Sequence, residues 1–413
     1  MRNLLALALL ALAALIQGCG GGGGGDGDAA ATDTPAPVTK PVLPTAPNSQ
    51  QISVEQGISN NVNLLTTSVT VCAPGNSSNC QTIDHIVVDT GSAGLRILAS
   101  ALAPSLAQAL VQQTDAGGTP VVECAHFVDG YTWGPVKLAD ARFSSERANS
   151  LPLQVIGDPA FPGVPARCAA TGPSKNSVQE LRANGILGIS VFRQDCGSAC
   201  TVPNNRAMYY VCSASTCTQT PVALEQQVQN PVSLFAVNNN GVLIDLPAVP
   251  DAGAARADGL LVFGIGTQAN NALGTVTVIG LDPASGNFTT QYKGSSYFGS
   301  FIDSGSNGLF VSDAIAVCTS ESAAPGFYCP ASTVNETAVI EGVNGASASI
   351  DFSIANAQTL LTANPGFTAF GNLGAPFLAH SFDWGLPFFY GRKVYTAIEG
   401  AITPGGPGPY VAF

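Results

Sequence analysis

The sequence predicts an all-β protein, and three observations carry that reading. Gly, Ser, Thr, Ala and Val dominate a chain of 413 residues that holds 46 Gly and 28 Pro. Short alternating or apolar runs are broken every few residues by Gly, Pro or Asn, the punctuation of strands and turns rather than of helices. Long amphipathic stretches of helical period are largely absent. The 46% hydrophobic content is ample for a substantial core, in one large or two medium domains.

The N-terminus sets the compartment. Arg2 precedes an apolar run from Leu4 to Ile16 that falls well short of the roughly 20 residues of a membrane-spanning helix. Residues 1–18 therefore read as a secretion signal. Ile16-Gln17-Gly18-Cys19 resembles the lipobox of bacterial lipoproteins, in which the Cys, here Cys19, is acylated and becomes the mature N-terminus. An ordinary signal peptide cleaved nearby is the alternative. Residues 19–49, a Gly run followed by an Ala, Thr, Pro and Asp tract, read as a flexible tether. Gly20 is not the Asp that retains such lipoproteins in the inner membrane, so the resemblance favours the outer membrane or cell surface.

Composition excludes whole classes of partner. Only 10% of residues are charged, and 15 Lys+Arg against 27 Asp+Glu leave a net charge of −12, with no basic face for nucleic acid. Setting Cys19 aside from the 11 Cys leaves an even number, as export into an oxidising compartment requires of a disulfide framework. Short loops suggest Cys72 with Cys80, Cys196 with Cys200, Cys212 with Cys217 and Cys318 with Cys329, leaving Cys124 with Cys168; spacing alone does not fix connectivity. No metal or cofactor is expected: there is no C-x-x-C pair, and His85, His126 and His380 lie scattered without ligand spacing.

Along the chain, strands are expected at Val62–Val71, Ile83–Val88, Val121–Val128 and Val136–Phe143, with a helix at Ala101–Gln113. The Cys-, Ser- and Asn-rich stretch Arg193–Thr218 reads as a disulfide-pinned excursion, followed by a short helix at Ala223–Gln229. A division near Gln229 gives an N-terminal lobe, 50–229, and a C-terminal lobe, 230–413. The second half offers strands at Val232–Val237, Gly241–Leu246, Leu260–Phe263, Val276–Leu281, Phe288–Lys293, Ser300–Ile302 and Lys393–Ile398. Gly264-Ile265-Gly266 with Ala269 imitates a dinucleotide fingerprint, but Asn270, Asn271 and Gly274 break any following helix, so it reads as a glycine-bounded turn.

The chemistry-bearing feature is a motif that occurs twice. DTGSAGL spans Asp89–Leu95 and DSGSNGL spans Asp303–Leu309, each after an apolar run. A carboxylate on a tight turn after a buried strand is held rigidly. Gly91 and Gly305 allow close backbone approach and offer amides to the inner oxygens, Ser92 and Ser306 can donate to the outer ones, and Thr90 and Ser304 can cross-brace the two turns. If Asp89 and Asp303 meet, they cannot both ionise cheaply and share one proton. One then serves as base toward a water and the other as acid toward an amide carbonyl.

At these residues the chain resembles the pepsin-like aspartic peptidases, whose two active-site signatures these motifs match, one per lobe. Asn184-Gly185-Ile186-Leu187-Gly188-Ile189 is similar to the family's D-G-I-L-G-L segment. Ser233–Val237 with Leu260–Gly264 is similar to the opening of its second lobe, and Trp384–Phe389 with Val394-Tyr395 to its closing segment. The resemblance covers about residues 50–400 and implies a bilobed β fold with an interlobe cleft, a peptide or protein substrate in that cleft, and a monomer. The departures are specific. Arg96 occupies the place of a Trp that supports a flap Tyr, no Y-G-T-G flap exists, and the matching hairpin offers Cys124, His126, Tyr131 and Trp133. Asp383 stands where an apolar residue is expected, and Leu386 replaces an Asp. Lys40 is the only basic residue of the tether, so no autoinhibiting prosegment is expected. The chain is also similar to an uncharacterised family of proteobacterial lipoproteins, a resemblance that implies no activity. Two functions follow: a lipid-anchored aspartic endopeptidase, or a non-catalytic cell-envelope binding or scaffold protein that retains the fold.

Overall fold

Two motif-bearing loops are built by the same device, a strand pushed between the two arms of a turn. Strand Leu65–Cys72 turns through a tight loop, closed by the Cys72–Cys80 disulfide, into strand Cys80–Asp89, which is apolar and buried from Ile86 to Asp89. After the DTGS turn the chain leaves as strand Ala93–Leu98. Strand Gly185–Ile189 lies between the two, parallel to the first (Ile186 opposite Val87) and antiparallel to the second (Leu187 opposite Leu95). Only glycine fits at residue 188, since a Cβ there would stand 2.8 Å from the Ser92 carbonyl oxygen and the Ala93 carbonyl carbon.

In the second half, strand Ser295–Ile302 leads into Asp303, the chain leaves through Leu309–Phe310, and the short strand Asp383–Trp384 fills the gap. It runs parallel to Phe301–Ile302 and antiparallel to Leu309–Phe310. Gly385 here matches Gly188: a Cβ would come within 2.2 Å of the Gly308 carbonyl oxygen.

The computed structural model describes residues 38–39 and 46–413, apart from residues 60, 204, 214 and 215. The signal segment 1–18, Cys19 and nearly all of the tether 19–49 lie outside the described residues. What is described is mainly β, with four short α-helices. Strands on both sides of Gln229 share the larger, 17-stranded sheet: Ser49–Val54 pairs with Ala257–Phe263, which continues through Gly241–Asp245 to Lys393–Ala397 and Tyr410–Ala412. A seven-stranded sheet lies within residues 288–384 and carries Asp303. Side chains from both sheets join one apolar core that includes Ile52, Val88, Phe263, Ile302 and Trp384, all buried. Within it Phe382 stacks on Trp384 at 4.1 Å between ring centroids. Among the described residues no helix is long and apolar enough to cross a membrane.

All five expected disulfides form: Cys72–Cys80, Cys124–Cys168, Cys196–Cys200, Cys212–Cys217 and Cys318–Cys329. Three element expectations are corrected. The helix Ala101–Gln113 shortens to Pro104–Ala109, because Leu110 turns extended and Val111–Gln112 joins strand Gly130–Phe143. The helix Ala223–Gln229 is one 3₁₀ turn, Leu224–Gln226. The strand Val232–Val237 is also a 3₁₀ turn, Pro231–Leu234. Pro231 starts it and the Asn230 side chain accepts from the Val232 amide, a capped arrangement that overrides the β-branched residues. The Gly264–Gly266 stretch is a turn with both glycines at positive φ, followed by the single turn Ala269–Asn271.

Candidate active site

Asp89 and Asp303 come together from the ends of two strands in different halves of the chain, with both carboxyls lying against Gly305. Each is held alike. The Gly91 amide donates to Asp89 Oδ1 at 2.7 Å and the Gly305 amide to Asp303 Oδ1 at 2.7 Å. Ser92 Oγ donates to Asp89 Oδ2 at 2.5 Å and Ser306 Oγ to Asp303 Oδ2 at 2.9 Å. The glycines are needed for approach as well as donation: a Cβ on Gly91 would stand 2.7 Å from Asp303 Cγ, and one on Gly305 would stand 2.9 Å from Asp89 Oδ1.

Beneath the carboxyls the two turns are laced together. The Ser304 amide donates to Thr90 Oγ1 (2.9 Å), whose hydroxyl donates to the Ile302 carbonyl (3.2 Å). Reciprocally, the Thr90 amide donates to Ser304 Oγ (3.1 Å), whose hydroxyl donates to the Val88 carbonyl (2.7 Å). Thr90 and Ser304 are both buried, so these bonds form away from water and fix the spacing of the pair. Burial holds the Asp303 carboxyl well above the ordinary carboxylate range, and the neighbouring acids Asp89 and then Asp383 push it further, against the Gly305 amide. Among the described residues no cluster of His, Cys, Asp and Glu is arranged to hold a metal ion.

Arg96 does not reach into the space above the dyad. It is 2% exposed; Nη1 donates to the Ala93 carbonyl, and Nη2 donates to Glu123 Oε1 at 2.6 Å and to Asp195 Oδ2 at 3.1 Å. Asp195 Oδ1 accepts from the Tyr209 hydroxyl at 2.6 Å, and the Tyr209 hydroxyl oxygen accepts from the Val228 amide. Burial, then the neighbouring Glu123, raise the Asp195 carboxyl well above its usual range, against the pull of Arg96 and the Tyr209 hydrogen bond. The network fastens the turn after Asp89 to hairpin Val121–Phe127/Gly130–Phe143 and to the disulfide-pinned excursion. On the hairpin, Tyr131 and Trp133 are buried beside the Cys124–Cys168 disulfide, His126 is exposed, and Phe127 has the Arg96 guanidinium 5.7 Å from its ring centre.

A family model described as "Protein of unknown function (DUF3443)" matches residues 44–413. The chain belongs to this family. No curated protein matches it. In this DUF3443 chain every residue expected at the site, Asp89, Thr90, Gly91, Ser92, Asp303, Ser304, Gly305 and Ser306, falls in one constellation.

Sequence reasoning missed the partners of Arg96 and the proximity of Asp383 to the dyad. One signal was present: Leu95-Arg96-Ile97-Leu98 places a cation in an apolar strand, which demands buried carboxylates elsewhere, and Glu123 sits in the equally apolar run Val121–Phe127. Asp195 carried no comparable mark.

Proposed function

We propose that the chain is a lipid-anchored aspartic endopeptidase of the bacterial cell envelope, with a pepsin-like bilobed fold and Asp89 and Asp303 as its dyad. The observation that carries the reading is the reciprocal lacing of Thr90 and Ser304 beneath the two carboxyls. Two unrelated turns have no need of it. The repeated strand-in-loop device at Gly185–Ile189 and Asp383–Trp384 supports the bilobed fold.

The chemistry follows from the geometry. Ionised Asp89 takes a proton from a water held between the carboxyls as its oxygen bonds to the scissile carbonyl carbon. Protonated Asp303 gives its proton to the carbonyl oxygen, so the tetrahedral intermediate is neutral. Asp89 then passes its proton to the amide nitrogen, the C–N bond breaks, and the carboxyl product returns a proton to Asp303. No side chain forms a covalent bond to the substrate. Beside Asp303 the half-buried rings of Phe301, Phe310 and Phe377 pack on one another, an apolar wall suited to a large apolar side chain next to the scissile bond.

Buried Tyr131 and Trp133 leave the hairpin without the flap Tyr of the resembling family, and this favours the second reading, a binding or scaffold protein. Peptide-pool cleavage in H₂¹⁸O separates the two. The peptidase gives internal cuts beside large apolar residues, with one ¹⁸O in each new carboxylate from a single turnover. A folded, disulfide-intact sample that cuts nothing from acid to neutral pH selects the binding protein.

A further inference from the structure

A recess of about 200 Å³ is lined by Leu309 and Trp384, from the two strands that follow and brace the second motif, yet none of the dyad residues lines it. It exceeds the roughly 150 Å³ that admits a benzene molecule. Its walls come from three parts of the chain: residues 248–251, strand Ser347–Ile354, and the 3₁₀ turn Leu386–Phe389 with the residues just after it. Leu309, Trp384 and Phe388 are buried and give the recess apolar sides.

Three charged residues line this recess, Arg392, Asp251 and Asp351. Arg392 is half-buried and held in place: Nη1 donates to the Phe388 carbonyl at 2.7 Å, and the guanidinium stands 4.7 Å from the centre of the Phe388 ring. Neither contact neutralises it. Among the described residues no carboxylate forms an ion pair with Arg392, not even the two that share its recess. Burial with no opposing charge lowers its pKa, the mark of a cation that has lost water and gained no counter-ion.

The two acids are exposed and keep their charge free for a ligand. Asp351 Oδ1 accepts from the Thr337 hydroxyl at 2.6 Å, and Asp251 is fixed through its backbone carbonyl, which accepts from Asn372 Nδ2 at 2.9 Å. The Tyr390 hydroxyl is already bonded to Asn63 Oδ1 at 2.8 Å. A plain anion drawn to Arg392 would meet two carboxylates, and a plain cation drawn to the acids would meet the guanidinium. A molecule that carries both charges meets neither penalty.

We infer that this recess binds a small zwitterion of the α-amino acid class, with its carboxylate on Arg392, its ammonium toward Asp251 and Asp351, and a short aliphatic side chain against the apolar wall. A guanidinium suits the first role because its planar fork matches a carboxylate. The site stands apart from the proposed cleavage chemistry and does not depend on it.

Calorimetric titration of the full-length, disulfide-intact protein at neutral pH tests the assignment with four probes: L-alanine, L-valine, propionate and ethylamine. Propionate is alanine without its ammonium, and ethylamine is alanine without its carboxylate. At least one of the amino acids should bind, with propionate and ethylamine weaker by about tenfold or more. Arg392→Gln should weaken amino acid binding by about tenfold or more, and so should Asp251→Asn combined with Asp351→Asn, a change at exposed positions that leaves the core alone. In that double variant propionate should bind at least as well as alanine. Propionate matching alanine in the wild type would mean a simple anion site, and ethylamine matching it a simple cation site; either overturns the inference. So would amino acid affinity unchanged in both variants, which would place the binding elsewhere on the protein. Failure of both amino acids to bind a folded sample with Kd below about 10 mM overturns it outright.

Discussion

Replacing Arg96 by Met tests whether the buried charge network is what the chain uses in place of an aromatic hairpin support. Met keeps much of the apolar stem and removes the guanidinium, leaving Glu123 and Asp195, with side chains 0% and 3% exposed, without a cation. Removing one partner of a buried pair costs about 3–5 kcal/mol at neutral pH, because an uncompensated charge stays behind. In acid the remaining carboxylate takes up a proton, the charge is gone, and the loss should shrink to the about 1–3 kcal/mol of unsatisfied polar groups. The sign follows from linkage: with the cation removed, the folded state holds its protons more tightly than the unfolded one, so the deficit grows as pH rises. Denaturant unfolding of wild type and Arg96→Met, at one mildly acid and one mildly alkaline pH, should therefore show a difference in ΔΔG of about 2 kcal/mol. A loss below about 1 kcal/mol at alkaline pH, or an equal loss at both, would refute the reasoning.

Other expectations follow from single contacts. Thr90→Val strands the Ser304 amide and the Ile302 carbonyl away from water, and chemical denaturation should show a loss of about 2–4 kcal/mol, with cleavage falling much further than stability. Gly188→Ala drives a Cβ against Ser92 and Ala93, so thermal unfolding should register a loss of about 1–3 kcal/mol, while alanine at exposed, contact-free Gly163 should register almost none. Asp195 and Asp383 both have folded-state pKa values above their ordinary 3.8, so the folded chain binds more protons than the unfolded one above that pH. Stability should then be greatest in acid and fall toward neutrality, by about 1.4 kcal/mol per carboxyl per pH unit until each folded-state pKa is passed; a flat or rising Tm over that range would contradict the assignment of buried neutral acids.

The site was legible because its chemistry is written locally. Each DTGS or DSGS turn contains its own carboxylate, its own amide donor and its own serine, so two seven-residue windows specify most of the constellation. The Gly185–Ile189 strand was marked only by its likeness to the D-G-I-L-G-L segment of the resembling family; the structure gives the reason, a strand wedged between two others with glycine where backbones touch. The disulfides came from short loops and one remainder. What could not be read was long-range and solitary. Glu123 and Asp195 lie 27 and 99 residues from Arg96, and nothing in either neighbourhood names the partner. Asp383 stood out only as an acid in an apolar place, and its burial came from register, which set it opposite Phe301. The strand expected at Val232–Val237 failed because β-branched composition was weighed above Asn230-Pro231, a capped helical start whose polar contacts are satisfied within a few residues.

The most direct measurement of the central claim is cleavage of a peptide pool by the full-length, disulfide-intact protein across acid to neutral pH, with Asp89→Asn and Asp303→Asn assayed singly. A shared dyad predicts cleavage by the wild type and a loss of about 10³-fold or more in both variants, each as deep as the other, because residues that act as one unit fail as one unit. Wild-type activity surviving in either variant, or no cleavage by a folded wild type, would contradict it.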